Sequence, residues 1–493
     1  MSVILNNTKL SLQDYINVAL NHFVVELSDE CINKINNARK TVEKIVDNDK
    51  VVYGITTGFG SLRNKFIAKD DVVTLQKNLI RSHAIGSGEA SPEYIVRGML
   101  LHRLRCICNG NSGVRLDVAK ILVDALNKNF IPFVPERGTV GASGDLAPLS
   151  FMVLSLMGEG LAYDNETKTF IDSLRVLKKL EMKPIVLQEK EGLALNNGTQ
   201  FITAWTSFSL YHALINLNNA NKIAGVTIEA LRGTHKQFDE RIHDCRPHMG
   251  QVSIAMQMRE ILKDSKINEL YAKDKVQDAY SLRCIPQIHG PIYDKLIFCM
   301  EIIETEINSS NDNPLIFDED VVSGGNFHGM YLGMIADDIA YCMTVLANIS
   351  ERRLERLVNS DLNGFLPTFL VKDAGLNSGF MIVQYAAAAD VAECRQLSNP
   401  ASVHTIPTCQ GTEDIVSMAG WASRKAFVTT TLVKNVLAYE LFAACQALDY
   451  TLTSDIKSSD KVMKLYNMVR EKVPFIEKDM FMNDYIEDIR NLL

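Results

Sequence analysis

Ala142-Ser143-Gly144 is the stretch of this 493-residue chain with the least ordinary chemical potential. Gly144 has no Cβ, so its backbone nitrogen can come closer to the Ala142 carbonyl than that of any other residue type. Attack of that nitrogen on that carbonyl closes a five-membered ring. Loss of the Ser143 hydroxyl as water then leaves a methylidene-imidazolone, an electrophile made from the chain itself. No ordinary side chain is an electrophile, so such a group would set the chemistry of the whole protein. The surrounding Gly138-Thr-Val-Gly-Ala-Ser-Gly-Asp-Leu-Ala-Pro148 also reads as a plain turn. Ser143 or Asp145 can cap a helix beginning near Leu146, with Pro148 tolerated in its first turn.

Other stretches offer groups that could serve such an electrophile. Tyr53-Gly-Ile-Thr-Thr-Gly-Phe-Gly60 is glycine-dense, as a tightly turned loop requires. His83 follows Ser82 at a break in a helical pattern. In Leu195-Asn-Asn-Gly-Thr-Gln200, Asn197 can cap the following helix or donate to a substrate oxygen. Gln277, Tyr280 and Arg283 are spaced by three and share one face if helical. An arginine there can hold a carboxylate through two hydrogen bonds, and a tyrosine can move a proton, or the face is simply solvated. Gly324-Gly-Asn-Phe-His-Gly329 is a glycine-rich turn carrying Phe327. Thr412-Glu413-Asp414 reads as a helix start, where acidic residues complement the helix dipole.

Several chemistries are excluded by spacing. The 53–60 loop lacks the dinucleotide-binding glycine pattern and its strand–helix context. Gly141-Ala-Ser143-Gly144 brings its second glycine one residue too early for a serine-hydrolase elbow. There is no phosphate-binding loop, and His243 and His248 lack companions at metal-ligand spacing, so no metal is expected.

Helices must position these residues. The spacing predicts helices over 29–46, 71–83, 94–108, 115–128, 149–159, 200–231, 251–263, 292–307, 328–358, 376–396 and 414–452. Leu296, Met300, Ile303 and Ile307 lie on one face of theirs. Short strands are expected only within 160–190. The fold class is therefore mainly α, with a smaller N-terminal helical and loop domain over 1–190 and a long-helix bundle over 191–493. A net charge of -8 argues against nucleic acid or an anionic membrane as partner. The ten cysteines show no framework, Cys106 and Cys108 read as core packing, and reduced thiols in a cytoplasm are expected. The first twenty residues lack the basic start and apolar run of a signal peptide. The apolar 427–448 segment carries Lys434, Asn435 and Glu440 and reads as a bundle helix rather than a membrane span.

In order along the chain, the 53–60 loop, the 138–150 stretch, Asn197-Gly-Thr-Gln and Gln277–Cys284 are joined by three further motifs. These are Glu306-Ile-Asn-Ser-Ser-Asn-Asp-Asn-Pro-Leu315, Gly324-Gly-Asn-Phe-His and Asn377-Ser-Gly-Phe-Met381. Together they resemble the aromatic amino acid ammonia-lyases that carry a self-made methylidene-imidazolone, over nearly the whole chain. Ser82-His83 and Glu413 match the branch of that family that acts on histidine. A carboxylate can accept a hydrogen bond from an imidazole N–H and would be costly against a plain phenyl ring. The chain departs from that branch at Thr412 and Ile415, where Gln and His are usual, at Gly329-Met-Tyr331, and around Cys394–Ser398.

The resemblance implies a fumarase/aspartase-like helical architecture and a homotetramer whose active sites are shared between subunits. It implies elimination of ammonia from L-histidine to give trans-urocanate, the first step of histidine breakdown. The electrophile comes from Ala142, Ser143 and Gly144, with no external cofactor. It implies Tyr53 as the base for the β-proton, on a loop that closes over the site, and Tyr280 as its helper. Arg283 and Asn197 are expected at the substrate carboxylate, Gln277 and Phe327 along the pocket, and His83 and Glu413 at the imidazole. Elimination from tyrosine, phenylalanine or a modified histidine, a 2,3-aminomutase using the same electrophile, and an inactive helical oligomer are the competing readings.

Overall fold

The computed structural model describes residues 1–48, 52, 57 and 71–493. Among them the protein is mainly helical, and its strands pair only as four two-stranded sheets. The expected helices form with ends shifted by a few residues. The predicted 414–452 segment forms a helix that begins only at Ala419. Left-handed backbone at Met418 breaks the helical path immediately ahead of Ala419. Glu413 is therefore not at a helix start. The 292–307 helix in turn begins earlier, at Ile285, and carries Pro291 within it.

Two compact units are formed, each from three stretches of chain. One comprises Met1–Phe208, Met300–Asp337 and Pro400–Arg424; the other comprises Ser209–Cys299, Asp338–Asn399 and Lys425–Leu493. Neither coincides with a cut at residue 190. The divisions at 208, 299, 337 and 424 fall inside helices, so no linker composition marks them.

In the first unit, the parallel strands Ser2–Leu5 and Val24–Leu27 flank the helix Leu12–Leu20. Helix Glu93–Cys108 is buried from Ile95 to Cys108, although it includes three arginines. Arg97 is accommodated by donating to the carbonyls of Val18, Ala19 and Leu126 at 2.8–3.1 Å, which meets the rule that buried charge must be hydrogen-bonded. The hairpin Leu161–Asp164 and Thr169–Asp172 supplies the strands expected within 160–190.

In the second unit, the Ala419–Leu448 helix buries Val433, Val436, Leu437, Leu441, Phe442, Cys445 and Leu448 around most of its circumference. Full burial of such side chains is worth about 1.5–3 kcal/mol each. Amid them Glu440 accepts from Arg353 Nε at 2.6 Å and Nη2 at 2.8 Å, from Thr227 Oγ1 at 2.7 Å and from Ser350 Oγ at 2.6 Å. This carboxylate pairs charge with charge in the dry interior, which is the condition for holding an ion pair there. Among the described residues one helix, Met330–Val358, is long and apolar enough to cross a membrane, and 72% of its apolar window is buried inside the protein. Cys106 and Cys108 are buried, and the ten cysteines are free thiols.

Candidate active site

The Ala142-Ser143-Gly144 turn sits in the first unit, just ahead of the helix Leu146–Leu156. Gly144 has φ +71°, and a Cβ there would fall 2.2 Å from the Gly198 carbonyl oxygen, so only glycine fits. Asp145 N–H donates to that same oxygen at 2.7 Å. Asn197 Nδ2 donates to the Ser143 carbonyl at 2.9 Å. Asn197 thus grips the tripeptide, and its Oδ1 makes no cap bond to the next helix.

Asp145 stands at the N-cap position of Leu146–Leu156 but gives that helix no side-chain hydrogen bond. Its carboxylate instead accepts from Ile202 N–H at 2.9 Å, at the start of Gln200–Ala230. Burial raises its carboxyl to about 7, against the opposing effect of the Ile202 and Thr139 donors. The expected local cap is therefore a long-range tie. Arg103, on Glu93–Cys108, donates to the Asn197 carbonyl at 2.8 Å and also to Gln200 Oε1. Behind them Gln200 Nε2 donates to Asn311 Oδ1 at 2.7 Å and Asn311 Nδ2 to Thr199 Oγ1 at 2.7 Å, while Thr199 Oγ1 donates to Glu306. The Asn197–Gln200 and Glu306–Leu315 motifs thus form one buried polar base beneath the turn.

Two more segments of this unit complete the surroundings. Gly141 N–H donates to Thr139 Oγ1 at 3.0 Å, and the Gly141 carbonyl accepts from Ser417 Oγ at 2.8 Å and from Gly329 N–H at 3.2 Å. His328 Nε2 lies 3.0 Å from the Ile415 carbonyl oxygen. The 324–329 turn, with half-buried Phe327, is therefore tied to Gly141, just ahead of the tripeptide, and to the segment that follows Glu413. Ser143 Oγ donates to Glu413 Oε1, and Thr408 Oγ1 donates to Glu413 Oε2. Residues 408 and 413 also pair through their backbones, Thr408 N–H to Glu413 O at 3.0 Å and the reverse at 3.3 Å.

His83 ends the helix Val72–His83 and is half-buried. Burial lowers its pKa, opposed by the Leu79 carbonyl and the Glu413 carboxylate. Ser82 Oγ donates to the Leu79 carbonyl at 3.1 Å and lies 2.9 Å from His83 Nδ1. Which of the two groups donates in the Ser82–His83 contact is set by the imidazole tautomer. The backbone turn, the glycine cradle and the donor at the Ser143 carbonyl fit a ring built from these residues.

Gln277, Tyr280 and Arg283 lie in the second unit. Only Tyr280–Arg283 is helical, so the shared helical face does not extend to Gln277. The three still meet: Arg283 Nη1 donates to Gln277 Oε1, and its guanidinium lies 5.6 Å from the Tyr280 ring centre. Tyr280 is 70% exposed. Tyr53 and most of its glycine-rich loop lie outside the described residues. His243 uses both ring nitrogens internally, toward the Gln237 carbonyl and Gln251 Nε2 at 3.1 Å each.

The family model of aromatic amino acid lyases matches residues 10–471. The chain belongs to the aromatic amino acid lyase family. It is 45% identical over 494 residues to a histidine ammonia-lyase of Alkaliphilus oremlandii, covering 100% of this chain and 96% of that protein. Its fold resembles the crystal structure of histidine ammonia-lyase from Trypanosoma cruzi with a TM-score of 0.91 and 39% identity, covering 100% of this chain and 93% of that one. It also resembles tyrosine aminomutase from Streptomyces globisporus with a TM-score of 0.95 and 34% identity, covering 100% and 96%.

The aromatic amino acid lyase signature left several supporting groups unmarked. Arg103 had a signal, a charge inside an apolar helix, which must find partners when buried. Thr139, Thr408 and Ser417 had none, because each acts through a contact spanning a turn or a long stretch of chain.

Proposed function

We propose that this chain is an ammonia-lyase that converts L-histidine to trans-urocanate. The observation that carries the reading is the Glu413 carboxylate bonded to Ser143, in the unit that also holds His83. The similarity to histidine ammonia-lyases over the full chain supports the same substrate.

A methylidene-imidazolone made from Ala142, Ser143 and Gly144 would supply the electrophile that activates the substrate amine as a leaving group. The chain's own groups do the rest. Asn197 holds the Ser143 carbonyl and so fixes the tripeptide's orientation. Glu413 accepts the imidazole N–H of the substrate, and His83 lies toward the same ring. Arg283, steadied by Gln277, clamps the substrate carboxylate. Tyr53 takes the β-proton, which requires its pKa to fall from about 10. Tyr280 assists the proton transfers, and Phe327 walls the pocket. The substrate is a small amino acid. Tyr280 on its exposed surface, and exposed Tyr331 and Met334, fit a homotetramer in which subunits complete one another's sites. A cytoplasmic location accords with this chemistry.

Incubation with histidine, tyrosine and phenylalanine in parallel tests the substrate. Urocanate from histidine alone is expected. Coumarate or cinnamate as the main product would overturn the reading, and a β-amino acid product would favour the aminomutase that the Streptomyces likeness keeps in view. Ser143→Ala removes the source of the electrophile, so its intact mass should show no loss of two waters and its turnover should vanish.

A further inference from the structure

We infer that Thr408 is a positioning residue for recognition of the substrate ring. Its hydroxyl holds one oxygen of Glu413, so that the other is the oxygen presented to the imidazole N–H. The inference rests on the proposed histidine lyase activity and its electrophile, and takes that reading one residue further.

The two oxygens of Glu413 have different partners. Oε1 accepts from the Ser143 hydroxyl and Oε2 from the Thr408 hydroxyl. These donors differ in permanence. Making the electrophile from Ala142-Ser143-Gly144 removes the Ser143 hydroxyl as water, so Oε1 loses its donor. The Thr408 hydroxyl stays. In the mature site Oε1 is therefore the oxygen in need of a donor, at the place the Ser143 hydroxyl has vacated. An imidazole N–H supplies one, and a plain phenyl ring has none to offer. A carboxylate oxygen covered by such a ring would be left desolvated and unpaired, which is costly.

Thr408 is held in place without its side chain. Its N–H donates to the Glu413 carbonyl at 3.0 Å, and its own carbonyl accepts from Glu413 N–H at 3.3 Å and from Gly411 N–H at 3.0 Å. Left-handed Cys409, Gln410 and Gly411 turn the chain between the two residues. This backbone bridge survives loss of the hydroxyl, so the side chain's part can be separated from the fold's. Without the hydroxyl, the Glu413 carboxylate is free to turn about its terminal bonds, and ordering it again falls to the substrate. Thr408 thus acts through Glu413. The contact it prepares exists before and during the reaction, so its loss weakens substrate binding rather than the chemical step.

The test compares wild type, Thr408→Val, Thr408→Ala and Thr408→Ser by intact mass, circular dichroism and histidine kinetics. Valine matches threonine in size, alanine avoids crowding by the second methyl, and serine keeps the hydroxyl. All four chains should lose two waters and keep their helix content. The valine and alanine variants should show KM for histidine raised about tenfold or more, the worth of a hydrogen bond to a charged group, with kcat little changed. Thr408→Ser should bring KM back toward the wild-type value. A merely structural role would lower the active fraction, and so kcat, without moving KM. Valine and alanine variants with wild-type KM, or with losses confined to kcat, to water loss or to helix content, would overturn the inference while leaving the lyase reading intact. A wild type that forms no urocanate from histidine would overturn both.

Discussion

Gly141 shows how tightly single residues are constrained here. Its φ is +69°, and a Cβ would lie 2.4 Å from Ser417 Oγ, the donor to its own carbonyl. Gly141→Ala would force left-handed strain of about 1–3 kcal/mol and push Ser417 aside. We expect incomplete loss of the two waters and a proportional fall in turnover, read by intact mass beside an activity assay. A fully matured variant of normal activity would show that the turn tolerates the shift. At this scale the reacting types were legible, since Ser143, Gly144, His83 and Glu413 advertise their chemistry by type and motif. Their supports were not. Asp145 was visible as a cap, but the backbone N–H it caps, that of Ile202, lies 57 positions further on. Nothing local could distinguish the helix of Ile202 from the one Asp145 precedes.

Elements were legible wherever apolar periodicity ran long, as in Gln200–Ala230 and Met330–Val358. The stretch ahead of Ala419 misled because its left-handed residues Cys409, Gln410 and Met418 are not glycines and carry no turn signature. The helix Glu93–Cys108 makes a pH prediction. His102 on it is buried, lies 3.0 Å from the Glu306 carbonyl oxygen, and is pushed down to about 3, chiefly by burial. Its unfolded value is about 6.5, so below that the unfolded chain binds a proton that the folded chain refuses. Stability from this group is full above about 6.5 and is lost as pH falls toward 3. Asp145 acts oppositely: its raised carboxyl favours the folded state at low pH and costs stability as pH climbs toward 7. Comparing His102→Gln with the parent cancels the Asp145 contribution. Unfolding free energies from urea titrations between pH 6.5 and 4 should fall less steeply in the variant, by up to about 1.4 kcal/mol per pH unit. Parallel curves would mean that His102 takes up its proton in the folded state.

For the whole molecule, the proposed tetramer carries its own prediction. Ser143→Ala and Arg283→Ala chains should each be inactive alone. Co-expressed and purified together through different tags, they should regain measurable urocanate formation if a site draws these residues from different subunits. No recovery from mixed oligomers would mean that each chain supplies both. The molecule's overall organisation was the part least legible in the sequence, because the units interleave three stretches each and the chain passes between them within helices. The contact between Ser143 and Glu413 spans 270 positions. At ribosomal speeds of about 5–20 residues per second, the glutamate emerges on the order of tens of seconds after the serine. A partly made chain therefore lacks that contact. The floor of the site is thus a signature of completion, present only in molecules whose distant segments have already come together.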